Sequence, residues 1–207
     1  MSYIKNPKRI EEKSFEIIGE EGYELLKHYS EEELMIIKRV IHTTADFEYG
    51  SITEISKDAI EVGKRVLSEG KNIYADTSMI MTGVRRRKLE SLGVKILNFV
   101  HDDDVYEMAE KDSITRSMAG IKKASLDPSI KIFAIGNAPT AIFKLKELIE
   151  NGYPKPELII GVPVGFVGAD ESKELLSEMG VPYIRVNGRK GGSTVAVAII
   201  NALLKMI

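Results

Sequence analysis

The sequence predicts an α/β protein in which about five strands form a mainly parallel, doubly wound sheet, with helices on both faces and a helical N-terminal segment. Three observations carry that prediction. Apolar residues in the first third recur at helical spacing. From Asn72 onward, short apolar runs alternate with helical stretches, the pattern of a parallel sheet with right-handed crossovers. Each run ends in a polar or glycine-rich turn, and ligands of such sheets bind outside the carboxyl ends of the strands.

The helical segment spans residues 1–70 of what reads as one domain, 1–207, packed on the sheet or on a partner subunit. Pro7 suits a first helical turn, and Ile10, Phe15, Ile17, Ile18, Leu25 and Leu26 can line one side. Ser30 with Glu33 forms a capping box that opens a second helix through Leu34, Ile37, Val40 and Ile41, ending near Thr43-Thr44. A third helix is expected from about Thr53 to Leu67, stopped at Gly70. The strands follow as Ile73-Tyr74-Ala75, Val94 to Val100, Ile130 to Ile135, Leu158 to Val162 and Tyr183 to Val186.

With 207 residues the chain can bury a sizeable core without a disulfide or a structural metal. It contains no Cys, which removes thiolate nucleophiles, Cys zinc sites and iron–sulfur clusters. The only histidines are His28, His42 and His101, too few for an all-histidine metal site with any to spare. A net charge of −2 gives no global pull toward nucleic acid or an anionic membrane. The start, Met1 to Pro7, lacks the apolar core of a signal peptide, and no run of about 18 apolar residues occurs, so a cytoplasmic protein is expected.

Five strand-end turns are candidates for chemistry: Asp76-Thr77-Ser78, His101 to Asp104, Gly136 to Thr140, Gly161 to Gly168, and Asn187 to Thr194. The last three run into helices, whose free amides and positive dipole ends suit negatively charged oxygen. Arg189 or Lys190 can close on a carboxylate. None of these turns is a Walker A loop or a dinucleotide fingerprint, and glycine there also serves close packing of helix on sheet. Asp102-Asp103-Asp104 can hold Mg²⁺ or simply favour a helix N-terminus, and Arg85-Arg86-Arg87-Lys88 is a clamp for acidic groups or a wetted helix face. His42 closes the second helix with Lys38 and Arg39 on its face; a histidine there is either a proton donor and acceptor near neutral pH or an ordinary helix-end residue.

The strings Arg39-Val40-Ile41-His42-Thr43-Thr44-Ala45-Asp46-Phe47, Gly136-Asn137-Ala138-Pro139-Thr140, Gly165 to Glu174 and Gly188-Arg189-Lys190-Gly191-Gly192-Ser193 resemble the precorrin-8X methylmutase family. Asp76, Met79, Gly83 and Thr115-Arg116-Ser117-Met118-Ala119-Gly120 extend the likeness over nearly the whole chain. The resemblance implies a homodimeric isomerase of cobalamin biosynthesis that moves a methyl group from carbon 11 to carbon 12 of a tetrapyrrole, giving hydrogenobyrinate or its cobalt form. It implies that His42 is catalytic and that Ser14 and Arg39 contact substrate. Thr43, Arg116, Ser117, Asn137, Thr140, Gly165, Arg189, Lys190, Gly191 and Gly192, in the same motifs, are further substrate-binding candidates. The Thr-Thr-Ala-Asp-Phe run after His42 is similar to the cobalt-using branch. No cofactor is expected, and any cobalt arrives inside the substrate.

The chemistry agrees with the residues. A precorrin carries acetate and propionate groups around its rim, which suits several helix N-termini together with Arg39, Arg116, Arg189 and Lys190. Two alternatives stay open on the residues alone. One is a non-catalytic tetrapyrrole-binding protein, which turnover would distinguish. The other is a nucleotide-dependent α/β enzyme, which stabilisation by nucleotides rather than corrinoids would reveal.

Overall fold

The computed structural model describes residues 4–207; Met1, Ser2 and Tyr3, part of the start expected to lack an apolar leader, lie outside the described residues. Helix α1 (Pro7–Glu21) begins where the Asn6 side-chain oxygen accepts from the amides of Lys8 and Arg9 at 3.0 and 3.3 Å. One turn, α2 (Tyr23–Leu26), leads to α3 (Glu31–Thr44). The capping box is there: the Ser30 hydroxyl accepts from the Glu33 amide and the Glu33 carboxylate from the Ser30 amide. Buried Ile36, Ile37, Val40 and Ile41 give α3 its inner face, and Ala45, left-handed at φ 53°, ends it.

The next segment departs from expectation. The helix expected from Thr53 begins only at Ala59: a turn, α4 (Tyr49–Ile52), is followed by strand β1 (Thr53–Ile55), and then by α5 (Ala59–Ser68). Pairing with a distant strand overrides the local helical signal here. β1 runs antiparallel to β6 (Tyr183–Val186), Glu54 opposite Arg185, and the Glu54 carboxylate accepts from the guanidinium at 2.7 and 3.0 Å. An opposed charge pair and β-branched Thr53 and Ile55 favour the extended form.

The remaining elements alternate as expected: β2 (Asn72–Ala75), α6 (Ser78–Gly83), α7 (Arg86–Ser91), β3 (Ile96–Leu97), α8 (Asp103–Lys111), α9 (Arg116–Ser125), β4 (Ile130–Ile135), α10 (Pro139–Glu150), β5 (Leu158–Gly161), α11 (Ala169–Glu174), β6, and α12 (Ser193–Lys205). The sheet order is β1-β6-β5-β4-β2-β3, parallel except for β1. The run Val94 to Val100 pairs over only Ile96 and Leu97, because it sits at the sheet edge against β2 alone. From β2 the chain goes outward to β3 and then returns to β4 on the other side of β2. The strand order therefore reverses between β2 and β4, where such sheets open a crevice.

Side chains alternate across the sheet with a period of two. Ile73, Ala75, Ile132, Ala134, Ile160 and Ile184 face a core shared with α3, α5 and α12, while Tyr74, Phe133, Ile135 and Ile159 face α9 and α10. α12 is apolar nearly all round, with Val195, Ala196, Ile199, Ile200, Leu203 and Leu204 buried, because the sheet covers one side and α3 the other. Thr43 lines one cleft together with Thr194 and Val197 from the start of α12, and Leu34 and Met35 line another together with Ala202 and Lys205 from its end. α3 therefore runs antiparallel to α12 and delivers His42 to the carboxyl edge of the sheet.

Candidate active site

At the switch point lies Asp76, 2 % exposed. Its carboxylate accepts from the amides of Gly136 (2.9 Å), Asn137 (2.9 Å) and Ala138 (2.8 Å), so the amide nest before α10 is filled from within the protein. This corrects the expectation that those amides are free for a ligand; the Asn137 side chain stays exposed at this turn. Burial raises the carboxyl pKa of Asp76 and the three amides pull it back. Gly136 is required for a second reason: a Cβ there would lie 2.9 Å from Ser193 Cα, where α12 starts.

The glycine turn after β6 is likewise largely tied down. Gly192 N donates to Val162 O (2.7 Å), Gly188 N to Asp170 Oδ1 (2.8 Å) and Gly165 N to Arg189 O (3.1 Å). Gly191, at φ 148°, would bring a Cβ within 2.3 Å of Val162 O. The amides of Ser193 and Thr194, at the start of α12, have no partner among the described residues. The Lys190 ammonium pairs with Asp46 and with Glu48 at 2.8 Å, which holds its pKa above the ordinary lysine value and lowers that of Asp46. Lys190 thus ties its loop to the segment just after His42 and is not a free clamp. Arg189 stays exposed to ligand, its guanidinium 5.4 Å from the Phe166 ring. Phe166 and Val167 are 84 and 89 % exposed.

Beneath this turn lies Lys173, whose side chain is fully buried and whose ammonium donates to Lys190 O at 2.9 Å. Burial brings its pKa down to about 8. Sequence reasoning missed Lys173, although a lysine four residues past the short apolar stretch of the Gly165 to Glu174 motif, one helical turn after Ala169, is the available signal. It also missed Glu11, Phe15 and Asp46 as partners of the site; none stands in a spacing that announces it.

His42 is exposed at the end of α3 and stacks on Phe15, ring centroids 5.3 Å apart and planes 14° from parallel. It opens onto a cleft of about 340 Å³ that Ser14, Ile17 and Phe47 also line. Ser14 sits in α1 with its hydroxyl donating to Ile10 O at 2.8 Å. Arg39, one turn before His42, pairs with Glu11, lies 4.7 Å from the centre of the Phe15 ring, and lowers the Glu11 pKa through its hydrogen bond. The Thr43 hydroxyl donates to Arg39 O at 2.8 Å.

The candidates therefore form two groups. Ser14, Arg39, His42, Thr43 and, through Asp46, Lys190 lie on the α3 and α12 side. Arg116, Ser117 and Thr140 lie on the α9 and α10 side, where Thr115 and Thr140 hydroxyls meet at 3.1 Å and Arg116 stacks on Tyr106 at 4.7 Å. No hydrogen bond or ion pair among the described residues joins Arg116, Ser117 or Thr140 to His42. Of the other two runs, the acidic one is held locally, Asp102 and Asp104 both pairing with Lys123 at 2.7 Å, whereas in the basic one only Arg86 is paired, with Glu90. His28 stacks on Tyr29 with centroids 4.0 Å apart, and His101 is exposed before α8.

Known proteins match this arrangement over most of its length. A family model described as precorrin-8X methylmutase covers residues 9–206. A cobalt-precorrin-8 methylmutase of Priestia megaterium is 46 % identical over 198 residues, spanning 95 % of this chain and 87 % of the relative. A precorrin-8X methylmutase of a Sinorhizobium species is 38 % identical over 205 residues, covering 98 and 96 %. The crystal structure of a precorrin-8X methyl mutase from Thermus thermophilus superposes with a TM-score of 0.84 at 36 % identity, covering 95 % of this chain and 96 % of that one. The sheet with its switch-point aspartate and the histidine-bearing helix thus stand in a chain that belongs to the precorrin-8X methylmutase family.

Proposed function

We propose that this isomerase moves a methyl group from carbon 11 to carbon 12 of a precorrin-8X type tetrapyrrole, with His42 as the proton donor and acceptor. The observation that carries the assignment is the placement of His42: an exposed imidazole, steadied by the Phe15 ring, at the mouth of a cleft next to a guanidinium. A tetrapyrrole has apolar faces and a rim of carboxylates. The carboxyl edge offers both complements, with exposed Met79, Val164, Phe166 and Val167 beside Arg189 and the open amides of α12.

His42 lends a proton to the conjugated ring, the methyl group migrates to the neighbouring carbon, and the proton returns, so atoms and electrons balance without a redox partner. Binding through the carboxylate rim fixes the ring against His42. We infer that the protein contributes no cofactor and that cobalt, where present, enters with the substrate. The Thr43 to Phe47 run supports the cobalt-containing substrate, the family resemblance supports a homodimer, and among the described residues no helix is long and apolar enough to cross a membrane. With the family established, the nucleotide-dependent alternative is set aside.

The test is a visible-absorbance titration with a cobyrinate or hydrogenobyrinate type corrinoid alongside turnover of the cobalt and metal-free substrates, for the wild type and His42→Ala. A folded variant that still binds corrinoid but does not turn over supports the role. A variant with a near-normal rate removes it, and a wild type that binds but never turns over leaves only the carrier reading.

A further inference from the structure

Three cations act on one carboxylate, that of Glu11: Arg39 on α3, Lys205 at the end of α12 and, from just after α6, Arg85. Arg39 bonds Glu11 and is only 14 % exposed; Lys205 lies 3.9 Å from the same carboxylate; Arg85 reaches it only at longer range. Three positive charges against one negative charge leave a local excess that attracts an anion. Among the three, Arg85 is the one whose guanidinium makes no ion pair or hydrogen bond among the described residues.

Its backbone, by contrast, is fixed. Arg85 N donates to Asn201 Oδ1 at 2.9 Å, and Asn201 Nδ2 donates to Gly83 O at 3.3 Å, so α12 sets where the chain leaves α6. Gly83 itself packs so tightly that a Cβ would meet Val197 Cγ2 at 2.8 Å. Arg85 therefore stands on a rigid base at one wall of a cleft of about 260 Å³, with Arg39 and Thr43 on the α3 wall and Thr194 at the start of α12. The Thr194 amide there is open. The cleft is too small for a tetrapyrrole ring and suits one of its carboxylate arms.

We propose that Arg85 grips one carboxylate arm of the substrate in this cleft and so determines in which orientation the ring is presented to His42. The inference rests on the tetrapyrrole reading above. Its chemistry is a charge-assisted, fork-shaped contact of guanidinium with carboxylate, with the neighbouring Arg39 adding field but remaining bound to Glu11.

The experiment is titration of the full-length protein with cobyrinate, followed by visible absorbance at low and high salt, for wild type, Arg85→Met and Arg87→Met. Arg87 belongs to the same basic run, is exposed and does not line the cleft, so its variant controls for bulk charge. The expected result is a loss of about tenfold or more in affinity for Arg85→Met with a shallower salt dependence, against little change for Arg87→Met. KM should rise more than kcat falls. A corrinoid with its arm carboxylates converted to amides should shrink the difference between wild type and Arg85→Met. Equal affinity and equal salt dependence for Arg85→Met and wild type would overturn the assignment while leaving the tetrapyrrole reading in place. If the wild type binds neither corrinoid, the tetrapyrrole reading falls and Arg85 loses its role with it.

Discussion

Replacing Asp76 by Asn tests how the switch point is held. In the native protein Oδ1 accepts from Gly136 N, and Oδ2 accepts from both Asn137 N and Ala138 N. An asparagine oriented with its oxygen toward Asn137 and Ala138 keeps two bonds in weaker, neutral form and turns its NH₂ against the Gly136 amide. One charge-assisted bond is lost, about 1.5–3 kcal/mol, and the other two weaken by about 0.5–1 kcal/mol each, while the side chain no longer carries a buried charge. The net expectation is a loss of about 3 kcal/mol, or a fall in Tm of about 6–12 °C for a protein of this length. Thermal unfolding followed by circular dichroism measures it. Asp76→Ala should be worse, since it leaves three buried amides unpaired. A Tm for Asp76→Asn within about 2 °C of wild type, or an alanine variant more stable than the asparagine variant, would refute the claim that Asp76 closes this nest as the acceptor for its three amides.

His42→Ala should retain the wild-type Tm, because the ring is exposed, while losing turnover, checked by product formation under single-turnover conditions. Lys173 carries a penalty rather than a gain. Its pKa near 8 lies below the ordinary lysine value, so burial of the charged form costs stability below about pH 8, and that cost disappears as pH rises toward 10.5. Wild type should therefore gain up to about 3 kcal/mol over that window relative to Lys173→Met; parallel stability curves for the two would contradict the burial of a charge there. Gly191→Ala forces a Cβ into Val162 O and should displace the loop that carries Lys190, raising KM and costing about 2 kcal/mol or more; an unchanged KM would separate this loop from substrate binding.

The alternation of apolar runs and helical stretches was enough to predict the layered α/β architecture, because a buried parallel strand and an amphipathic helix each write their periodicity into the chain. The capping box at Ser30 and Glu33, the proline at the start of α1 and the end of α3 at Thr44 were legible for the same reason: each depends on neighbours within four residues. The motifs around His42, Gly136, Gly165 and Gly188 identified the family because a chain of motifs in order is far more specific than any one loop.

What the sequence left undecided depends on partners distant along the chain. Whether Thr53–Ile55 is helix or strand is settled by β6, some 130 residues away, through the pairing of Glu54 with Arg185. Whether the Gly136 amides await a ligand is settled by Asp76, 60 residues earlier, which fills them. Lys190 reads as a free clamp in isolation and becomes a strut once Asp46 and Glu48 fold against it, whereas Arg85 reads as part of a wetted basic run and is the cation left unpaired at a cleft. Local periodicity marks most of the helices, strands and core positions; only the tertiary structure decides an edge segment such as Thr53–Ile55 and which charges and amides are already spent on one another, because both depend on which distant segments the packed sheet brings within hydrogen-bond range.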